Sequence, residues 1–358
     1  MKIIDWYILK RYLTTFVALL LMFIPIGIIV NLSEKIDDIK ENEVPLEEVL
    51  VFYGNFTIYF ANLLFPIFLF LSIIWFTSKL ANNTEIIAIL SSGISFSRFL
   101  RPYLIGATLV CGIALMFTMY LVPNASQGFN EFKYQYFKKG KQSQETQNVY
   151  RQVNDNEFIF ATNFQPSTGT ARNFTLEHFE GQEMTFKISA SRLKFNAKDS
   201  TYTLNNFEKR IINEREDLIR RQSSLDTILP FEFGELTPVE YIAETLDYGE
   251  LKDFIATEKR RGSANISSYQ IVAYKRWSVP VSAFILTIIA VSVSAMKRRG
   301  GMGANLAIGI VIAFAYIFLD KVFGTIAEKS TFSPLIAVWF SNILFGILAI
   351  YLLIKAKR

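Results

Sequence analysis

Cysteine and histidine, which carry much of protein nucleophilic and metal chemistry, occur once each, as Cys111 and His178. One sulfur makes neither a disulfide within the chain nor a thiolate metal site. Cys111 sits inside a long apolar run, where it reads as a small packing residue. A histidine triad or multi-histidine metal site needs partners that His178 lacks. There is no G-x-x-x-x-G-K-[ST] stretch either, because Gly140-Lys141 lacks the upstream glycine, so the chain does not hydrolyse ATP by itself. The expectation is a chain that is not an enzyme, with no catalytic residue, metal or cofactor of its own.

Charged residues in unusual settings point elsewhere. Asp320 and Lys321 stand near the end of one apolar run, and Lys275 and Arg276 just before another. An acid within a membrane helix is a candidate proton relay, but one so close to the interface suits anchoring or capping. The stretch Leu80 to Arg101 is odder still. Thr84 is placed to cap a helix, and Glu85 then lies in the first turn, where the helix dipole favours a negative charge. Ile86, Ile87, Ile89 and Leu90 follow, and Gly93 supplies a stop. A short helix with exposed isoleucines must rest them on something, either the lipid surface or another protein.

The elements that position these residues are read from hydropathy. Of the 358 residues 51% are hydrophobic and 33 are Phe, too many for an ordinary soluble domain. Runs long enough to cross a bilayer lie at Leu13 to Val30, Phe56 to Phe76, Tyr103 to Val122, Val279 to Met296, Leu306 to Phe323 and Leu335 to Ile354. Three spans precede and three follow a long polar insert. The first run is too long for a cleavable leader and lacks a small-x-small site.

Lys and Arg near the span ends set orientation. Lys2, Lys10 and Arg11, then Lys79, Arg98 and Arg101, then Lys297, Arg298 and Arg299, and finally Lys355, Lys357 and Arg358 fall on alternate connections. Both termini and the Leu80 to Arg101 stretch are therefore expected in the cytoplasm, with the insert outside. Lys275 and Arg276 break this pattern on the outer side.

The insert, Asn124 to Ser268, alternates apolar and polar residues at Glu157 to Phe160, Phe174 to Phe179, Met184 to Phe195 and Thr201 to Phe207. Short strands without intervening helices imply an antiparallel sandwich, jelly roll or open barrel. After Phe233, Thr237-Pro238-Val239-Glu240 reads as a capping box opening a helical return to the fourth span. The expected domains are 1–123 with a cytoplasmic helix at 80–97, an all-β insert at 124–268, and the last three spans at 269–358.

Several short motifs occur in a set order. They are Asp5-Trp6-Tyr7-Ile8 at the start, Thr84-Glu85 with Gly93-Ile94-Ser95, Val122-Pro123-Asn124-Ala125, and Tyr269-Gln270 with Lys275 and Pro280. Leu319-Asp320-Lys321-Val322-Phe323-Gly324 completes the series. Together with the layout they resemble the LptF/LptG (YjgP/YjgQ) family of lipopolysaccharide-export permeases, over the whole length, and the last motif is more like LptG. The connection after the first span is more acidic than the resemblance leads one to expect.

The resemblance implies a six-span permease with a periplasmic jelly-roll-like domain in the inner membrane, paired with a second permease subunit. An ATPase dimer (LptB-like) binding ATP and Mg would dock below. Thr84, Glu85, Gly93 and Ser95 would form the coupling segment, with Ile86, Ile89 and Leu90 filling the ATPase groove. A passive helix lying flat in the headgroups is the plainer alternative. Lipopolysaccharide would enter a cavity between the subunits and leave by a bridge of LptC/LptA-like jelly rolls, and no nucleic acid is implied.

Candidate cations for its phosphates are Lys35, Lys40, Lys275, Arg276 and Lys321, all of which are also placed for ordinary interfacial snorkelling. Pro25 and Gly27 would ease movement of the first span, and Gly300, Gly301 and Gly303 that of the fifth. Two other readings stay open, an envelope scaffold and a force-transmitting ABC permease that moves no lipid.

Overall fold

The computed structural model describes residues 2–137, 146–213, 216–239, 241–296 and 300–356. Lys297, Arg298 and Arg299, Lys357 and Arg358, Glu240 of the expected capping box, and Gly140-Lys141 lie outside them.

Among the described residues, six helices are long and apolar enough to cross a membrane. The first two, α1 (Ile3–Glu41) and α2 (Leu46–Asn82), are joined by a short turn. At 1.5 Å per residue the 39 residues of α1 rise about 58 Å, well beyond a hydrocarbon core of about 30 Å. The apolar runs therefore mark only the middle of each helix. After the short α3 (Glu85–Ser91) comes a helix that starts as α4 (Phe96–Met116) and continues through α5 (Val122–Phe132) to Phe137. It does not stop at Pro123, where the sequence suggested the third span ends. Phe117–Leu121 widens into a π turn just before that proline, and Lys133–Phe137 forms a second. A π turn accommodates the missing proline N–H without breaking the helix.

The chain divides into two compact units. One holds Met1–Gly140, Ala243–Leu251 and Ser267–Arg358, the other Lys141–Ile242 and Lys252–Ile266. In the first, α8 (Ile266–Ser294), α9 (Gly301–Lys329) and α10 (Pro334–Ala356) complete the set of long helices. The core runs along α2, where Phe70, Ile73 and Ile74 are fully buried with Leu286, Ile289 and Val291 of α8. At the far end of α2, Phe52 stacks on Phe132 at 4.4 Å and on Phe129 at 5.4 Å. Those two rings belong to the unexpected continuation of the third long helix, which explains why it stays ordered past Pro123.

The second unit contains one six-stranded antiparallel sheet in sequential order: β1 (Gln147–Gln152), β2 (Glu157–Gln165), β3 (Thr170–Glu180), β4 (Glu183–Asn196), β5 (Thr201–Ile211) and β6 (Leu218–Thr227). The expectation of an all-β insert holds. Its strands form a meander, without the crossovers of a Greek-key jelly roll. Strand alternation buries Phe174 and Leu176 opposite Ala190 and Ile188. Phe164 and Phe233 stack at 4.1 Å to close the core. The unpredicted strands β1 and β6 are the two edges, and β6 is exposed along most of its length, so it lacks the alternation that reveals a half-buried strand.

One local expectation fails. Thr237 opens no helix: it ends the 3-10 turn Phe233–Leu236 and is fully buried. The next helix, α6 (Ile242–Thr245), begins five residues later and is followed by α7 (Tyr248–Arg260).

Candidate functional site

Thr84 occupies the residue before α3, but with φ 62° and ψ 8° its backbone is left-handed and its hydroxyl donates to the Asn83 carbonyl at 2.6 Å. It therefore makes no side-chain cap. Asn83 steadies the helix start instead, its Nδ2 donating to Glu85 Oε1 at 3.1 Å. Gly93 (φ 85°) ends the segment as expected, and the Ser95 hydroxyl accepts the Arg98 N–H at 3.3 Å to cap α4.

The isoleucines divide differently from the sequence reading. Ile86 is 2% exposed and belongs to the chain's own core with Ile8, Tyr12 and Phe99, while Ile89 and Leu90 pack against that core half-buried. Spacing i, i+3, i+4 puts these three on one helix face, and that face is used internally. Ile87, at 54% exposed, is the apolar residue presented outward, beside half-exposed Glu85. Sequence spacing alone gives no sign of which face is inward.

Directly after this corner Arg98 reaches back to Asp5. Nη1 and Nη2 donate to Oδ1 and Oδ2, each at 2.7 Å, and Asp5 is buried. This pair was not foreseen, because the two residues are 93 apart and Arg98 was read only as a span-end cation.

The candidate cations fare unequally. Lys35 pairs with Asp38 at 3.2 Å and lies over the Phe137 ring at 5.4 Å, while Lys40 and Lys321 are exposed. Lys275 on α8 reaches Asp320 on α9, with Nζ to Oδ2 at 3.0 Å. Arg276 is 4% exposed and donates to the carbonyls of Ala243 and Leu246, at 3.3 and 2.6 Å. It fastens α6 to α8, so as an open phosphate contact it is displaced by this structural task.

Glu244, within that fastened segment, is half-buried, and burial pushes its carboxyl above the usual range. The ammonium groups of Lys133, Lys321 and Lys275 oppose that push, and Glu328 adds to it. Neither Glu244 nor Lys133 stood out in the sequence, since only folding brings them toward Lys275.

Gly27 lies against Phe60, where a Cβ would come 2.3 Å from the ring. Close approach, rather than flexibility, accounts for this glycine. With Pro25 one turn-fraction earlier inside α1, it borders an apolar cleft of about 400 Å³ lined by Phe23, Ile26, Val30, Phe60 and Phe68. At the start of α9, Gly301 has φ 62°, and Gly300 leaves room for Ala304, whose Cβ would otherwise be 2.7 Å away. Gly303 faces open space.

A search of curated proteins finds no match to this chain. The family model for the lipopolysaccharide export system permease LptF/LptG matches residues 6–355, nearly the whole length. With six membrane-length helices and an antiparallel sheet between the third and fourth, the chain belongs to the LptF/LptG family of lipopolysaccharide export permeases.

Proposed function

We propose that this chain is one of two paired permease subunits through which an ABC transporter extracts lipopolysaccharide from the inner membrane. A separate ATPase dimer carries the ATP and Mg and docks on α3. Both termini and α3 then lie in the cytoplasm, and the sheet lies in the periplasm, as the alternation of basic residues at span ends suggests.

The observation that carries this reading is the two-sided placement of α3. Ile86 is buried in the bundle core while Ile87 and Glu85 face outward from the same helix. A helix so seated passes a push on its outer face directly to α1 and α4, which share its core. A passive helix resting on lipid headgroups would favour basic residues on its polar side, and here the charge is Glu85.

The apolar cleft between α1 and α2 suits an acyl chain, and Lys35, Lys40 and Lys321 suit phosphates. The exposed edge strand β6 suits strand addition by a periplasmic bridge protein.

Depletion tests the reading. Newly made lipopolysaccharide should remain in the inner membrane when this protein is removed, and undiminished delivery to the outer membrane would sink it. Glu85→Lys with Ile87→Asp should insert normally yet lose co-purification with the ATPase. An unchanged complex would favour a passive helix, and an envelope scaffold would form no such complex at all.

A further inference from the structure

Lys275 of α8 and Asp320 of α9 pair across the two helices, beside an apolar cluster that holds Ile271 of α8 and Ala327 of α9. The ammonium sits 3.0 Å from Asp320 Oδ2, and a Cβ on Gly324 would come 3.8 Å from it. Asp320 and Gly324 are four apart, hence on one face of α9. The acid holds the lysine, and Gly324 lies at ordinary contact distance from it. In the same motif, Leu319-Asp320-Lys321-Val322-Phe323-Gly324, Phe323 packs on Phe340 at 4.1 Å.

This pair is poorly suited to be mere glue. Its side chains keep 28% and 22% exposure, and an ion pair that water still reaches contributes little to stability. The close backbone packing of α9 is with α2 and α10. Near the pair, Lys321 is exposed, and Lys133 and Glu244 lie within electrostatic range of the same cluster. The site thus gathers three ammonium groups with the carboxylates of Asp320, Glu244 and Glu328, and Lys275 is the ammonium held directly, by Asp320. A phosphate group brings nearly two negative charges and three acceptor oxygens against the single charge of Asp320, so it competes well for the same lysine.

We propose that Lys275 is a phosphate-binding residue masked by Asp320, and that an incoming lipopolysaccharide phosphate displaces the aspartate and releases α9 from α8. The proposal rests on the permease reading above. Asp320 is then a specificity element: a weakly charged headgroup does not displace it, and a phosphate monoester does.

The test uses the full chain assembled with its partners in nanodiscs, with lipopolysaccharide binding measured for Asp320→Asn, Lys275→Gln and the double variant. Removing the internal competitor should tighten binding about fivefold, the scale of one partly exposed ion pair. Lys275→Gln should weaken binding, and adding Asp320→Asn to it should change nothing further. With phosphatase-treated lipopolysaccharide the gain from Asp320→Asn should vanish. If Asp320→Asn weakens binding as Lys275→Gln does, or leaves it unchanged, the pair is a structural tie and the masking proposal falls. Lys275→Arg, which keeps the charge, should bind as the parent does, and loss in that variant would also overturn it. Should the parent prefer lipopolysaccharide no more than phosphatidylglycerol, the permease reading itself fails, an outcome distinct from the others.

Discussion

The Asp5 carboxylate and the Arg98 guanidinium meet in a two-pronged pair, both N···O distances 2.7 Å, between the first turn of α1 and the first turn of α4. Asp5 also accepts the Lys2 N–H at 2.7 Å, so its oxygens serve the start of α1 as well. The parallel N–H···O geometry fixes orientation as a single contact does not. Through it the first long helix is bound to the corner that follows α3.

Breaking one side of this pair should loosen that corner. Asp5→Ala leaves a guanidinium facing a buried position without its acceptor, and the unpartnered group is costlier than the lost attraction. Its unfolding temperature in detergent should fall by several degrees, and Arg98→Ala should cost more, because it strands the Asp5 carboxylate at 4% side-chain exposure, whereas Asp5→Ala strands Arg98 at 27%. The double variant should lose less than the sum. Strict additivity would mean the pair carries no coupling.

The sequence made the long helices legible because about 18 apolar residues in a row have few other fates. The inner strands were legible for the same kind of reason: Phe186, Ile188 and Ala190 alternate with polar neighbours. What stayed hidden depends on distant partners. Ile86 and Ile87 are chemically identical, and only the packing of α1 and α4 decides that one is buried and the other outward. Arg276 looked like a twin of Lys275, yet its guanidinium serves carbonyls about thirty residues away in sequence. Local pattern carries no record of such contacts.

That division at α3 is itself testable. Ile86→Ala should destabilise the chain by about 2–4 kcal/mol, as truncation of a fully packed aliphatic side chain does. Ile87→Ala should leave the unfolding temperature nearly unchanged. Equal losses from both would mean that α3 does not hold Ile86 in the core.

Gly106 permits a contact that no larger residue allows. A Cβ there would fall 1.4 Å from the Tyr12 hydroxyl, and Tyr12 donates that hydroxyl to the Tyr103 carbonyl at 3.2 Å while stacking on its ring at 5.4 Å. Gly106→Ala should therefore displace Tyr12 and cost about 1–3 kcal/mol, the usual scale of overpacking. Tyr12→Phe in the same chain should recover part of that loss by removing the clashing oxygen. No recovery would place the strain elsewhere on α4.

Glu244 gives the pH dependence a definite sign. Burial raises its carboxyl above the ordinary value of 4.5, while Lys133, Lys321 and Lys275 pull it down and Glu328 pushes it further up. The Tyr59 hydroxyl also lies within its electrostatic reach. With the folded-state value raised, the stabilisation is fully present below 4.5 and is lost as pH rises through the folded value. At neutral pH the folded chain holds a carboxylate in a setting that favours the acid form. Glu244→Gln removes that charge and keeps the shape, so the variant should unfold at a higher temperature than the parent at pH 7 to 8. The gap should close as pH falls toward 4.5, where the parent carboxyl is protonated too. Thermal unfolding of both across that range checks it. A parent that unfolds at the higher temperature at pH 7 to 8 would mean that the three lysines outweigh burial, making Glu244 a paired carboxylate.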